Sequence, residues 1–170
     1  MIVDLAIIKD TPTLFDFTLE PNQIDLESEA AKITDVVKVA GKLKKGIVQT
    51  DVEGDVLTVL EVECTRCLRK FETPLEILFK VGFVSEEHYT KEKEAEVNVE
   101  DLEISISEND KINLTEVVRE QILLNLPDQI FCQENCRGLY QMCGANRNLV
   151  NCNCEKKEID PRWSALKNLK

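Results

Sequence analysis

Seven cysteines are the residues of this chain whose type and spacing could do chemistry. Cys64 and Cys67 form a C-x-x-C, Cys132 and Cys136 a C-x3-C, and Cys152 and Cys154 a C-x-C, with Cys143 between the last two pairs. A structural zinc ion takes four thiolate or imidazole ligands in a tetrahedron, commonly delivered as two pairs. With no second C-x-x-C, spacing alone does not decide which sulfurs belong together. The redox setting favours metal over disulfides. The N-terminus, MIVDLAIIKD, places Asp4 in a short apolar run and has neither a basic leader nor a small-residue cleavage site, so the chain reads as cytoplasmic. Thiols there are kept reduced, and clustered cysteines more often bind metal. An odd number of cysteines also leaves one outside any complete set of disulfides within the chain.

The elements that must position these sulfurs read as α+β. Residues 2–8 and 13–19 are rich in β-branched and aromatic side chains and flank a turn at Thr11-Pro12, which predicts two short strands. Residues 20–33 read as a connector or short helix. From Asp35 to Val84 the pattern is a strand meander, with turns expected at Lys45-Gly46 and at Gly54-Asp55. Its last strand is the clearest, because Phe71, Thr73, Leu75, Ile77, Phe79, Val81 and Phe83 fall on one face at period two. Pro74 lacks an amide proton, which places it at an edge or bulge. The Cys64/Cys67 pair then lies at the corner between two long strands, where a tight turn can aim both sulfurs at one point.

An acidic loop spans residues 85–111, with a short strand expected at 102–106. A helix follows over 113–126, with Asn113 as N-cap, Glu116 in capping-box position and Pro127 as terminator. It delivers the chain into Cys132. A second helix is expected from Asp160-Pro161, with Trp163, Leu166 and Leu169 as its apolar stripe. The organisation is therefore an antiparallel β-rich domain at 1–131 with one packed helix, and a cysteine-rich C-terminal tail at 132–170 ending in a short helix.

Charge and composition narrow the function. The net charge of −11 argues against a generic nucleic-acid binder, yet residues 132–170 carry +3 against −14 for residues 1–131. In that basic tail Arg137, Arg147, Lys156, Lys157, Arg162 and Lys167 can neutralise phosphates, and Asn146 and Asn148 can hydrogen-bond RNA edges or sugars. No apolar run approaches membrane-spanning length. Catalysis has little to work with: the single histidine, His88, sits in the acidic loop, and there is no Gly-rich phosphate cradle and no G-x-S-x-G. A thiol redox protein using the Cys64/Cys67 pair is the alternative, since C-x-x-C can lower a thiol pKa. That motif normally opens a helix, however, and here it joins two strands.

The corner C-x-R-C-L at Cys64–Leu68, the helix ending in Leu-Pro, and above all CRGLYQMCGANRNLVNCNC followed by DPRWSALKNL resemble the YceD-like family of bacterial and plastid proteins. These are described as large-subunit ribosomal RNA accumulation proteins. The resemblance implies a non-enzymatic factor in large ribosomal subunit biogenesis, through accumulation or maturation of its ribosomal RNA. The chemistry of the residues adds a zinc-stabilised binding module with an acidic body and a basic tail, suited to large-subunit ribosomal RNA, a basic ribosomal protein, or both, with no small-molecule substrate expected. Family members with a full cysteine set resemble C-x-x-x-C-x-G-L-C-x-x-C-G followed by C-x-C, and here Tyr140 stands where that pattern has a cysteine. Eight cysteines fill two four-sulfur sites and seven do not. This count pairs Cys64 and Cys67 with Cys132 and Cys136 as one intact zinc site, leaving Cys143, Cys152 and Cys154 as a second, incomplete group. A rival grouping joins Cys136, Cys143, Cys152 and Cys154 and leaves Cys64 and Cys67 apart.

Overall fold

The computed structural model describes residues 1–5, 7–8, 11–85, 104–107, 110–152 and 154. Period-two patterning builds its main sheet. Strands β2 (Thr13–Leu19), β4 (Val37–Lys45), β5 (Gln49–Glu63), β6 (Lys70–Ser85) and β7 (Ile104–Ser107) lie in the order β2-β4-β5-β6-β7, and β3 (Ala31–Ile33) pairs with β5 beyond the end of β4. All pairs are antiparallel except β6 with β7, which run parallel. The face predicted for β6 is the inner one, with Ile77, Phe79 and Phe83 buried over Val52, Val56, Leu60, Val39 and Val37.

Two expectations about the strands are corrected. Residues 2–8 do not form one strand: β1 is only Ile2–Asp4 and pairs with β8 (Lys111–Asn113) as a separate ribbon. Gly54-Asp55 is no turn either, because β5 runs unbroken through it for 15 residues. Gly54 lies opposite Gly41, and the row across the sheet reads Phe15, Gly41, Gly54, Phe79. The rings of the two phenylalanines lie over the glycines, so that a Cβ on Gly41 would meet Phe15 Cζ at 2.5 Å and one on Gly54 would meet Phe79 Cε1 at 3.1 Å. The glycines are packing partners of aromatic rings within a strand. The turn at Gly46 is present, its N–H donating to the Gln49 carbonyl at 2.8 Å. Residues 20–33 supply a short 3-10 turn at Pro21–Gln23 and then β3.

The helix α1 spans Leu114–Leu124, shorter at both ends than the 113–126 expected, since Asn113 and Asn125 are its caps. Asn113 caps through Thr115 N–H, whereas Glu116 turns outward to accept from Arg119 at 2.9 Å, so the reciprocal capping box does not form. Leu114, Val117, Val118 and Ile122 are buried in the same core as the sheet. Arg119 donates to the Asp25 carbonyl at 2.7 Å and to Glu27 at 3.1 Å, clamping α1 to the loop before β3. The short strand expected at 102–106 is β7. His88 and the residues of the helix expected from Asp160 lie outside the described residues.

Candidate metal centre

The β5–β6 corner is a knuckle whose backbone sets both of its sulfurs. Cys64 N–H donates to the Arg69 carbonyl at 3.0 Å, and Leu68 N–H returns to the Cys64 carbonyl at 2.9 Å, with Leu68 in the left-handed region at φ 57°. The chain leaving α1 docks on this corner. Thr65 N–H donates to the Ile130 carbonyl at 2.9 Å, and Leu139 N–H donates to the Arg66 carbonyl at 3.0 Å. Arg66 lies 3.9 Å above the centre of the Phe131 ring and donates to the Cys136 carbonyl at 3.2 Å. Gly138, at φ 69°, passes so close that a Cβ would sit 2.9 Å from the Arg66 carbonyl oxygen, a place only glycine fills without strain.

These contacts bring four sulfurs together. Cys64 Sγ lies 3.8 Å from Cys136 Sγ and Cys67 Sγ 3.6 Å from Cys132 Sγ, and all four ligand atoms lie within 4.8 Å of one another. Zinc–sulfur bonds of about 2.3 Å in a tetrahedron put the sulfurs about 3.8 Å apart, so the donor set and its spacing fit a divalent metal of that size. Cys64, Cys67 and Cys136 are buried, and Leu139 and Phe71 pack against them. The cluster could hold a metal ion in a closed, water-poor site.

The ionisation of the thiols makes the same point. Burial pushes the Cys64 thiol up, but the backbone N–H groups of Cys132, Cys67 and Arg66, joined by the Cys67 thiol, outweigh it and bring it down to about 6. Burial likewise opposes ionisation of Cys136, and the Gly138 N–H, the Asn148 amide and the Cys67 thiol reverse it, leaving a lowered pKa. Cys132 is pushed up to about 12 by burial and by the thiols of Cys67, Cys64 and Cys136. Backbone donors therefore support some of the negative charge, and a cation at the centre would support the rest.

The second group is also assembled: the sulfurs of Cys143, Cys152 and Cys154 lie within 4.8 Å of one another, with Cys143 exposed. Hydrogen bonding by the Ala145 N–H, with the Cys154 and Cys152 thiols, lowers the Cys143 pKa, while the Cys143 thiol, burial and the Cys152 thiol push Cys154 up to about 11. The rival grouping around Cys136 is not the one seen, because Cys136 belongs to the first cluster.

Among the RNA-contact candidates, Asn146 and Asn148 are engaged in the fold around the first cluster. Asn148 Nδ2 donates to Cys136 Sγ at 3.3 Å and its Oδ1 accepts from the Arg137 N–H at 2.8 Å, while Asn146 Oδ1 accepts from both nitrogens of Asn148 at 2.9 Å. Sequence reasoning missed this outer shell, because Asn148 lies 12 positions from the cysteine it contacts and two asparagines two positions apart carry no sign of that partner. Arg137 and Arg147 are exposed. Lys156, Lys157, Arg162 and Lys167 lie outside the described residues. Arg66, whose guanidinium ties the corner to Phe131 and Cys136, was also missed, since nothing in a lone arginine predicts its stacking partner.

A strand corner and a tail joined through a four-cysteine cluster define the class, a β-rich protein with a metal-type knuckle. Comparison with known proteins makes the class specific. The family described as "Large ribosomal RNA subunit accumulation protein YceD" matches residues 52–170, and the chain belongs to that family. It is 33% identical to YlbN of Bacillus subtilis (strain 168) over 160 residues, covering 91% of this chain and 86% of that protein. It is 30% identical to "Large ribosomal RNA subunit accumulation protein YCED homolog 1, chloroplastic" of Arabidopsis thaliana over 60 residues, 35% of this chain and 19% of that protein. No solved structure gives a significant match. Among the described residues no helix is long and apolar enough to cross a membrane.

Proposed function

We propose that this protein supports accumulation of large-subunit ribosomal RNA as a non-enzymatic, zinc-stabilised binding module of the cytoplasm. The observation that carries the reading is the four-cysteine cluster, which fits zinc and joins the start of the basic tail to a corner of the sheet in an otherwise acidic 1–131 portion. Family membership supplies the process. Arg137 and Arg147, exposed beside the cluster, and Lys156, Lys157, Arg162 and Lys167 further along are the side chains that would meet RNA phosphates, while the acidic body suits a basic ribosomal protein. Asn146 and Asn148 would act there chiefly by holding Cys136 and the Arg137 backbone in place. The redox alternative has less support, because Cys64 is fully buried and its neighbours are three further thiols in metal-binding array.

The test is depletion of the protein in its own cells, followed by measurement of large- against small-subunit ribosomal RNA. The expected result is a selective loss of the large-subunit species. Re-expression of the intact chain should restore it, whereas a chain carrying Cys64→Ser and Cys136→Ser should not, and the purified wild-type chain should hold zinc. An unchanged ratio between the two RNAs on depletion would sink the reading.

A further inference from the structure

Cys143, Cys152 and Cys154 form, we propose, an open three-thiolate zinc site whose fourth position takes an exchangeable soft donor, because Tyr140 occupies the knuckle position from which a fourth thiolate would come. The inference rests on reading the cysteine clusters as metal sites, and it concerns a group different from the closed four-sulfur cluster.

Two loops of this chain carry the same hydrogen-bond pattern. In the first, Cys64 N–H donates to the Arg69 carbonyl and Leu68 N–H to the Cys64 carbonyl, with φ 57° at Leu68. In the second, Tyr140 N–H donates to the Ala145 carbonyl at 2.8 Å and Gly144 N–H to the Tyr140 carbonyl at 2.8 Å, with φ 68° at Gly144. Position by position, Tyr140 matches Cys64, Cys143 matches Cys67, and Gly144 matches Leu68. Both loops are knuckles, but the second presents one sulfur where the first presents two. An isolated bridge between Leu139 and Asn146 closes the second loop just outside these bonds.

Cys152 and Cys154 bring the second knuckle's total to three sulfurs within 4.8 Å of one another. Tyr140 does not take the remaining position with its oxygen, since the phenol donates to the Cys154 carbonyl at 3.4 Å. Three protein ligands with one open place is the arrangement in which zinc keeps an exchangeable ligand, and an all-thiolate set favours soft, thiophilic ions. Cys143 is exposed, so a donor from solution can reach the group. Metal entry forms a metal–sulfur bond at each cysteine as its thiol proton passes to solvent, and the fourth bond forms to water or to an external thiol that loses its proton to solvent and displaces that water.

The test loads the reduced full-length chain with cobalt(II), whose ligand-field and thiolate charge-transfer bands report the number of sulfurs bound. Two ions per chain are expected. Adding 2-mercaptoethanol should raise the charge-transfer absorbance of the second ion by about one third, as three cobalt–sulfur bonds become four. In Tyr140→Cys that absorbance should be present without the added thiol and no longer respond to it. Tyr140→Phe, which keeps the ring and removes the hydroxyl, should respond like the wild type, and Cys143→Ser should keep one ion with no response. A single bound ion that persists in Cys143→Ser overturns the open site and leaves the four-cysteine reading standing. Two ions with a spectrum indifferent to added thiol also overturn it. Failure to bind any cobalt overturns both readings.

Discussion

At the scale of single residues, the four-sulfur cluster depends on donors that are not ligands. Asn148 is the clearest of them, since one side chain contacts Cys136 Sγ through its nitrogen and the Arg137 backbone through its oxygen. A donor aimed at a thiolate stabilises its charge and fixes its direction, and loss of such outer-shell groups typically costs about 10- to 100-fold in metal affinity. Asn148→Ala should therefore weaken zinc retention by about that factor in competition with a chromogenic chelator, while leaving the stoichiometry unchanged. Asn148→Asp, which keeps the acceptor for Arg137 but brings a negative charge to the sulfur, should retain zinc no better than the alanine variant. Equal affinity of all three proteins would remove Asn148 from the site's support. The ligands themselves were legible as residue types, since cysteines in pairs announce metal. Their grouping was not legible from spacing, because Cys64 and Cys136 stand 72 positions apart and meet only through the docking of the 130–139 segment on Thr65 and Arg66.

At the scale of elements, the strand that read most clearly, β6, is the one whose face is set by strict alternation, and its burial follows that alternation from Phe71 to Val81. Gly54-Asp55 misled because the same dipeptide serves two ends: locally it is turn chemistry, but opposite Gly41 it makes room for the rings of Phe15 and Phe79. The parallel pairing of β6 with β7 was likewise hidden, because partner choice across a long connection leaves no local signal. The packing account of Gly54 makes a definite prediction. Gly54→Ala should lower stability by about 1–3 kcal/mol in denaturant unfolding, because the new methyl would sit 2.6 Å from the Ala40 carbonyl oxygen and 3.1 Å from Phe79. In an exposed turn the same change would be nearly neutral. On the outer face, Lys42 and Lys80 both reach Glu53, at 3.0 and 3.4 Å, and their hydrogen bonds, Lys42 first, hold its carboxyl below the usual range. A depressed carboxylate pKa contributes stability above the unfolded-state pKa and loses it as pH falls through the folded one. Glu53→Gln should thus melt slightly below the wild type at neutral pH, less so in high salt, and together with it once Glu53 is protonated.

At the scale of the whole molecule, the described residues form two centres of cohesion. One is the apolar cluster between the sheet and α1, which includes no cysteine, and the other is the sulfur cluster with Leu139, touching the first through Phe71. The first buries β-branched and aromatic side chains and needs no metal to cohere. The second joins an acidic body to a basic tail by a few backbone bonds and four clustered cysteine sulfurs, and its folding free energy includes that of any metal it binds. Removing the metal should therefore loosen the 130–154 segment while the sheet remains, an opening local to one part of the structure. Arg137 and Arg147 are exposed, but their backbones are tied to Asn148 and to the Gly138 carbonyl, bonds that keep both sites out of the extended conformation a protease needs. In zinc-loaded protein, trypsin should cut slowly after these two residues. After chelation under reducing conditions it should cut both readily, as read by mass spectrometry, while far-ultraviolet circular dichroism retains the β-sheet signal and its cooperative melt. Cutting at the same rate in both states would mean that the four sulfurs do not hold the tail. Loss of the sheet signal with the metal would mean that the apolar core cannot stand without them, and would join the two centres into one cooperative unit.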